Sequence, residues 1–455
     1  MTEDFFMEKC RTVGIERISV LFDAGTFVET GAYIKRADGT LTGVVSGYGA
    51  IDGRLVYAFA QDSDRKKGAF DAPQAKKIAA LYAMAIKNQA PVIAIFDSIG
   101  ATVCDGASVL SAYGTFLKAV SDASGVIPQI AIIGGVCAGM AATVAAMFDF
   151  VITIKDQSEW FVNAPFVLGK EADSAATYEN GLASILAESE ADAYRKATAL
   201  VSLLPSNASE GVEIGDISDD VNRGTKVGLR GRALVEELSD ANAFLSVGDG
   251  FGKELITGFA RLGGVACGII ASEPACNGGA ISADGAKKAA RFIRLCDAYS
   301  VPIVTLVDSL GIEGESDAAL ASELAKLAMS YASATTARVT AVVGKAYGAA
   351  FTLLGSKALG ADTVYATESA EISPMAPQAA VAFLWNDRIT QEVSREDLEK
   401  EWKSTYASPA AAACDGSIDD VICQSELRQH ILSAVYMLTC RDGESAKRRH
   451  CNLPL

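Results

Sequence analysis

The sequence repeats itself. PVIAIFDSIG (Pro91 to Gly100) returns as PIVTLVDSLG (Pro302 to Gly311), a shift of 302 − 91 = 211 residues. Further on, VCAGMAATVAAMFDFVIT returns as KAYGAAFTLLGSKALGADTVY with Gly139 opposite Gly348, a shift of 348 − 139 = 209. Two blocks in one order at nearly one shift imply a duplicated domain. At 455 residues the chain also exceeds one ordinary core. Between the copies, LLPSNASEGVEIGDISDD is polar and rich in turn-forming residues, which marks a linker. The boundary is expected between residues 205 and 235, giving domains 1–215 and 216–455.

Within each copy strand and helix patterns alternate. VVSGYGAIDGRLVYAFAQD reads as a β-hairpin turning at Asp52-Gly53. A helix follows over Ala72 to Asn88, with Pro73 in its first turn. PVIAIFDS is a short apolar strand buried on both faces. A helix from Ser108 to Ala123, the strand QIAIIGG, the turn CAG, a helix of small residues and the strand FDFVITI complete the copy. The second copy runs from ELITGFARLGGVACGIIAS through a helix Ala283 to Tyr299, the strand PIVTLVDS, a helix Ala318 to Ser333, the strand RVTAVVG, the turn KAYG and the strand TVYAT. A charged helix, Asp387 to Lys403, and a last helix, Ser425 to Leu438, are expected to pack on the body or on a neighbouring subunit. The fold class is α/β.

Composition removes several chemistries. The formal net charge is −16, the wrong sign for nucleic-acid binding. The ten cysteines contain no CxxC pair, and the two histidines, His430 and His450, lie near the C-terminus. A zinc site, a histidine triad and a histidine general base are therefore not expected. No apolar run reaches the ~18–20 residues that span a bilayer, and the acidic start lacks a signal peptide pattern. A cytoplasmic protein with free thiols is the expectation.

What chemistry remains lies in the repeated turn. In each copy a strand runs into a Gly/Ala turn and then a helix of small residues. The first amides of a helix have no intrahelical acceptor, and small side chains let a substrate oxygen reach them. Such amides stabilise an enolate or other oxyanion without any ionisable side chain. The candidates are Gly139 and Met140 in the first copy, and Ala349 and Ala350 beside Gly348 in the second. Gly/Ala-rich helix starts also serve close packing on a sheet; the matching pair favours a site.

The residues resemble the carboxyltransferase family of biotin-dependent acyl-CoA carboxylases and decarboxylases. The resemblance rests on GYGAIDGR, FDSIGATVCDG, IPQIAIIGGVCAG, LLPSN, NGGAISADGAKKAARFIRLCDAYSVPIVTLVDSLG, KAYGAAFTLLGSKALGAD and the terminal RRHCNLPL. It spans almost the whole chain, so the chain is expected to be complete, although short at the N-terminus. It implies two tandem crotonase-like domains with a ββα superhelical fold. The N-terminal domain would hold the acyl-CoA, and the C-terminal domain biotin. In that family the active site forms between the N domain of one subunit and the C domain of another, in a hexamer built as a trimer of dimers. Gly139 and Met140, with Ala138 beside them, would polarise the thioester carbonyl; Ala349 and Ala350, with Gly348, the ureido oxygen of biotin. A carboxyl group would then pass between carboxybiotin on a carrier protein and the α-carbon of a short-chain acyl-CoA, with no metal.

Three departures stand out: Met140 and Ala349 occupy positions where the family has glycine, and Thr102 one where it has arginine. Thr352 lies where the family tunes acyl-chain choice. The carrier's biotinylated lysine motif is absent, so a separate biotin carrier protein is implied. A biotin carboxylase partner would make the chain a carboxylase component; a membrane sodium-pumping subunit would make it a decarboxylase component, peripheral to a membrane complex. Arg65, Lys66 and Lys67 lie where the family places its CoA-binding loop and would meet a CoA phosphate; a solvated charged loop reads equally well. Two alternatives stand beside the carboxyltransferase. One is a crotonase-type hydratase or isomerase using Asp149 or Asp362, although both read as turn residues. The other is a catalytically impaired scaffold subunit, suggested by Met140 and Thr102.

Overall fold

The computed structural model describes residues 12–169, 172–215, 217, 221–313 and 318–439. The terminal RRHCNLPL with His450 lies outside the described residues. The chain divides into two compact units, the first ending at Gly211 and the second beginning at Val212.

Each unit is built on one eight-stranded mixed sheet. The first contains β1 (Val28–Glu29), β2 (Val44–Ile51), β3 (Arg54–Gln61), β4 (Val92–Ser98), β5 (Gln129–Ala138), β6 (Phe150–Ile154), β7 (Glu159–Phe161) and β8 (Ile185–Ala187). The second contains β9 (Phe244–Ser246), β10 (Leu255–Leu262), β11 (Val265–Ser272), β12 (Ile303–Ser309), β13 (Arg338–Tyr347), β14 (Thr363–Thr367), β15 (Glu371–Ser373) and β16 (Asp420–Ile422). Their orders are β1-β2-β3-β4-β5-β6-β8 with β7 on β5, and β9-β10-β11-β12-β13-β14-β16 with β15 on β13. This is one order read twice, since each strand of the second sheet takes the place of the strand eight earlier in the first, and hairpin, parallel strands and side strand connect in the same way. The repeat in the sequence is thus a repeat of connectivity.

Local chemistry explains the elements. Asp52 and Gly53 both have positive φ (49° and 76°), the left-handed pair a two-residue hairpin turn demands. β4 is buried at every position but Asp97, as expected for a parallel strand covered on both faces. The helix Ala72–Lys87 starts where the Asp71 side chain accepts the Gln74 N–H and Pro73 fits the first turn. Its counterpart, Ala283–Ala298, is capped by Ser282, which accepts from Gly285. The first core centres on Phe59, Phe70, Phe96, Phe116 and Phe148, whose rings stack or meet edge to face.

Two expectations need correcting. The turns CAG and KAYG are shorter than their sequence suggests, because β5 continues to Ala138 and β13 to Tyr347. Each long strand bulges midway. Phe96 pairs with Ile133, but two residues later Ser98 pairs with Cys137; likewise Val307 pairs with Val342 and Ser309 with Ala346. Two extra residues on the longer strand bend it out of the main sheet, and its end pairs instead with β7 or β15. The charged helix does not begin at Asp387. It spans Arg395–Tyr406, because Ser394 and Asp397 form a reciprocal capping box there.

Candidate functional site

Both bent strands end in the same backbone device. Gly139 (φ 67°, ψ −132°) and Gly348 (φ 56°, ψ −137°) cap the short helices Met140–Ala145 and Ala349–Leu353. This conformation is open to glycine and strained for other residues. In each case the glycine N–H finishes the side ladder. Gly139 donates to the Phe161 carbonyl and Gly348 to that of Ser373, both at 2.9 Å.

That bond alters the assignment in the first unit. Gly139 was expected to offer an amide, but its N–H is engaged with β7. The amides of Met140 and Ala141 have no protein acceptor among the described residues, and neither do those of Ala349 and Ala350. The equivalent pairs are therefore Met140 with Ala141 and Ala349 with Ala350. Ala141 was not among the sequence candidates, although carrying the 209-residue shift two steps beyond Gly139 and Gly348 pairs it with Ala350. Ala138 is buried, with its backbone in the β7 ladder opposite Phe161. The Met140 side chain is 39 % exposed, so it belongs to the surface around the turn and not to the core.

In the second unit a cavity of ≈ 700 Å³ opens beside the turn. Gly348, Ala349 and Thr352 line one side, and Trp402 and Tyr406 another. The Trp402 indole N–H donates to Ser373 Oγ at 3.1 Å, and its ring lies 5.1 Å from Trp385. Next to the glycine, the Tyr347 hydroxyl donates to Glu371, which also pairs with Lys403 at 3.0 Å. Burial opposes the charge on Glu371, yet these two donors hold its carboxyl below its usual range. Burial and the same hydrogen bond push the Tyr347 phenol up, so it stays protonated.

The three basic residues separate. Arg65 pairs with Asp62 at 3.3 Å and donates to the Thr42 carbonyl, a structural role. Lys66 pairs with Asp38 at 2.6 Å. Lys67 is exposed and makes no ion pair among the described residues. Lys66 and Lys67 both have φ of 52°, where side chains are disfavoured. The Lys67 carbonyl accepts from Ile99, next to Gly100, so this loop borders the end of β4.

The carboxylates proposed for a hydratase are occupied. Asp149 accepts the Gln129 N–H and Asp362 the Arg338 N–H, each at 2.9 Å. Both tie the start of one strand to the next, which is a structural duty repeated in each unit. Thr102 turns its hydroxyl inward without a hydrogen-bond partner among the described residues, while its N–H donates to Phe70. Among the described residues no cluster of three or more His, Cys, Asp or Glu could hold a metal ion, and no helix is long and apolar enough to cross a membrane.

Comparison with known proteins gives this geometry a setting. The carboxyl transferase domain family matches residues 7–453. The putative propionyl-CoA carboxylase beta chain of Bacillus subtilis strain 168 is 35% identical over 484 residues, covering 98% of this chain and 94% of that one. Methylmalonyl-CoA decarboxylase subunit alpha of Veillonella parvula is 32% identical over 474 residues, covering 97% and 92%. A crystal structure of transcarboxylase 12S, a hexamer with hydrolysed methylmalonyl-coenzyme A bound, matches with a TM-score of 0.91 at 30% identity, covering 99% of this chain and 94% of that one. With paired domains, matching turns and similarity along nearly its full length, the chain belongs to the carboxyl transferase domain family, as a carboxyltransferase of the biotin-dependent acyl-CoA carboxylases and decarboxylases.

Proposed function

We propose that the amides of Met140 and Ala141 receive the thioester oxygen of a short-chain acyl-CoA, and those of Ala349 and Ala350 the ureido oxygen of biotin. The observation that carries this is the twin turn: two short helices, each with two leading N–H groups that no protein acceptor among the described residues takes. Polarising a thioester carbonyl makes its α-carbon more acidic and stabilises the enolate. Amides fixed by a glycine cap are already aimed and need no reorganisation as charge develops. Biotin supplies the ring nitrogen that carries the carboxyl group. The ≈ 700 Å³ cavity beside Gly348 is large enough for its bicyclic ring, and Trp402 and Tyr406 offer apolar walls. Thr352, on the side of that cavity with Gly348 and Ala349, would tune which acyl chain is accepted.

Lys67 is the residue of its loop that would meet a CoA phosphate, since Arg65 and Lys66 already have partners. We further propose assembly as a hexamer and delivery of biotin on a separate carrier protein. Direction would follow from the partner: a biotin carboxylase for carboxylation, a membrane sodium-pumping subunit for decarboxylation. The test is decarboxylation of methylmalonyl-CoA or malonyl-CoA by the pure protein, with and without free biotin. Biotin-dependent turnover is expected. CoA binding without turnover would identify a scaffold, and hydration of an enoyl-CoA a hydratase.

A further inference from the structure

The repeated sequence block contains an aspartate that the proposed chemistry does not use, and the fold puts it at the same place in both units. Asp97 and Asp308 stand on β4 and β12 opposite the bulges in β5 and β13. Each meets an arginine from far along the chain. Arg17 Nη1 lies 2.6 Å from Asp97 Oδ2, and its Nη2 donates to the Gly134 carbonyl at 2.8 Å. Arg230 Nη1 lies 3.2 Å from Asp308 Oδ2 and also donates to the Val343 carbonyl. Gly134 and Val343 are the residues at which each strand leaves the main ladder. Asp308 Oδ1 further accepts the Lys345 N–H at 2.8 Å, inside the bulge. Arg17 is anchored a second time by Glu190, at 2.7 Å.

The bulges have no room for variation. A Cβ at Gly135 would collide with the Asp97 carboxylate, and one at Gly344 with that of Asp308. The carboxylate therefore sits where the strand bends, and the arginine clamps carboxylate and bulge carbonyl together. From the bend, only a few residues lead to the capping glycine at 139 or 348.

We propose that Asp97 with Arg17, and Asp308 with Arg230, are positioning pairs: each sets the bend that aims one pair of oxyanion-binding amides. This rests on the proposed role of the turns. It predicts that the two pairs act separately, each on its own carbonyl. Asp97→Asn should misplace the amides of Met140 and Ala141, and Asp308→Asn those of Ala349 and Ala350. Misplacement on the ångström scale costs ~10²-fold in turnover.

The experiment is isotope-edited infrared spectroscopy of the full chain, with two probes. Propionyl-CoA labelled with ¹³C at the thioester carbonyl reports on one turn, and biotin labelled at the ureido carbonyl on the other. In the wild type each bound carbonyl should absorb at lower frequency than in water. Asp97→Asn should abolish the thioester shift and keep the ureido shift; Asp308→Asn should do the reverse. Should either variant fail to fold, Arg17→Lys, which cannot reach Glu190, Asp97 and Gly134 with separate nitrogens, or Arg230→Gln, which removes the charge that pairs with Asp308, carries the same comparison. Folded variants that keep both wild-type shifts, or lose both together, overturn the positioning role. A wild type with no shift for either probe would instead sink the assignment of the turns.

Discussion

Ala349→Pro separates the amide from everything else at the second turn. Ala349 is the first residue of its helix, where proline is favoured and its fixed φ matches the backbone. Its N–H has no protein acceptor among the described residues, so no hydrogen bond among them is lost. The preceding Gly348, at φ 56° and ψ −137°, is outside the helical region that a following proline disfavours. Ala349 is exposed and borders the cavity, which leaves space for the ring. Stability should therefore change by no more than about 1 kcal/mol, a shift of ~2–4 °C in Tm for a unit of this size. Turnover should respond far more. Removing one oxyanion donor costs ~10²- to 10³-fold, or about 3–4 kcal/mol of transition-state stabilisation. The assay is biotin-dependent decarboxylation of methylmalonyl-CoA at saturating substrate, with Ala349→Gly as the control that retains the N–H. A folded Ala349→Pro protein within three-fold of wild type, on the order of 0.6 kcal/mol, would refute the role of this amide.

Other predictions follow from the same geometry. Lys67→Glu should weaken CoA binding by ~10-fold in calorimetry, whereas Lys66→Ala should change it little because Lys66 is held by Asp38. Gly68→Ala places a Cβ against the Asp97 carbonyl at a φ of 68°, so denaturant unfolding should show a loss of about 2–4 kcal/mol. Burial pushes the Lys288 ammonium down to about 8 from 10.5, although it donates to the Gly248 and Phe251 carbonyls. Between those values the unfolded chain holds a proton that the folded chain has released, so this group makes stability rise with pH across that window. Urea midpoints from pH 8 to 10.5 should show that rise in the wild type and a flatter profile in Lys288→Met.

The duplication was legible because each half must bury the same kind of sheet. Apolar β4 and β12, the Asp52-Gly53 hairpin and the Pro73 helix all follow from short-range rules of spacing and turn chemistry. The turns were legible as glycine followed by small residues. Which amide faces outward was not, because it depends on Phe161 and Ser373 accepting the glycine N–H from a side strand. The arginine clamps were hidden for a similar reason: Arg17 and Asp97 lie 80 residues apart, Arg230 and Asp308 78. No periodicity joins them. Lys66 and Lys67 read as one basic cluster, and only the folded loop shows that Asp38 takes the first and leaves the second in solvent.

Because the reacting groups in this proposal belong to the main chain, the side chains around them are free to drift. Met140 can stand beside one capping glycine and alanine beside the other while both leave their amides in place. An alanine scan would pass over this centre almost without a mark, since Ala141, Ala349 and Ala350 are alanine already. The vulnerable positions lie instead where the path of the backbone is set: the two capping glycines, the two glycines pressed against carboxylates, and the salt links behind them.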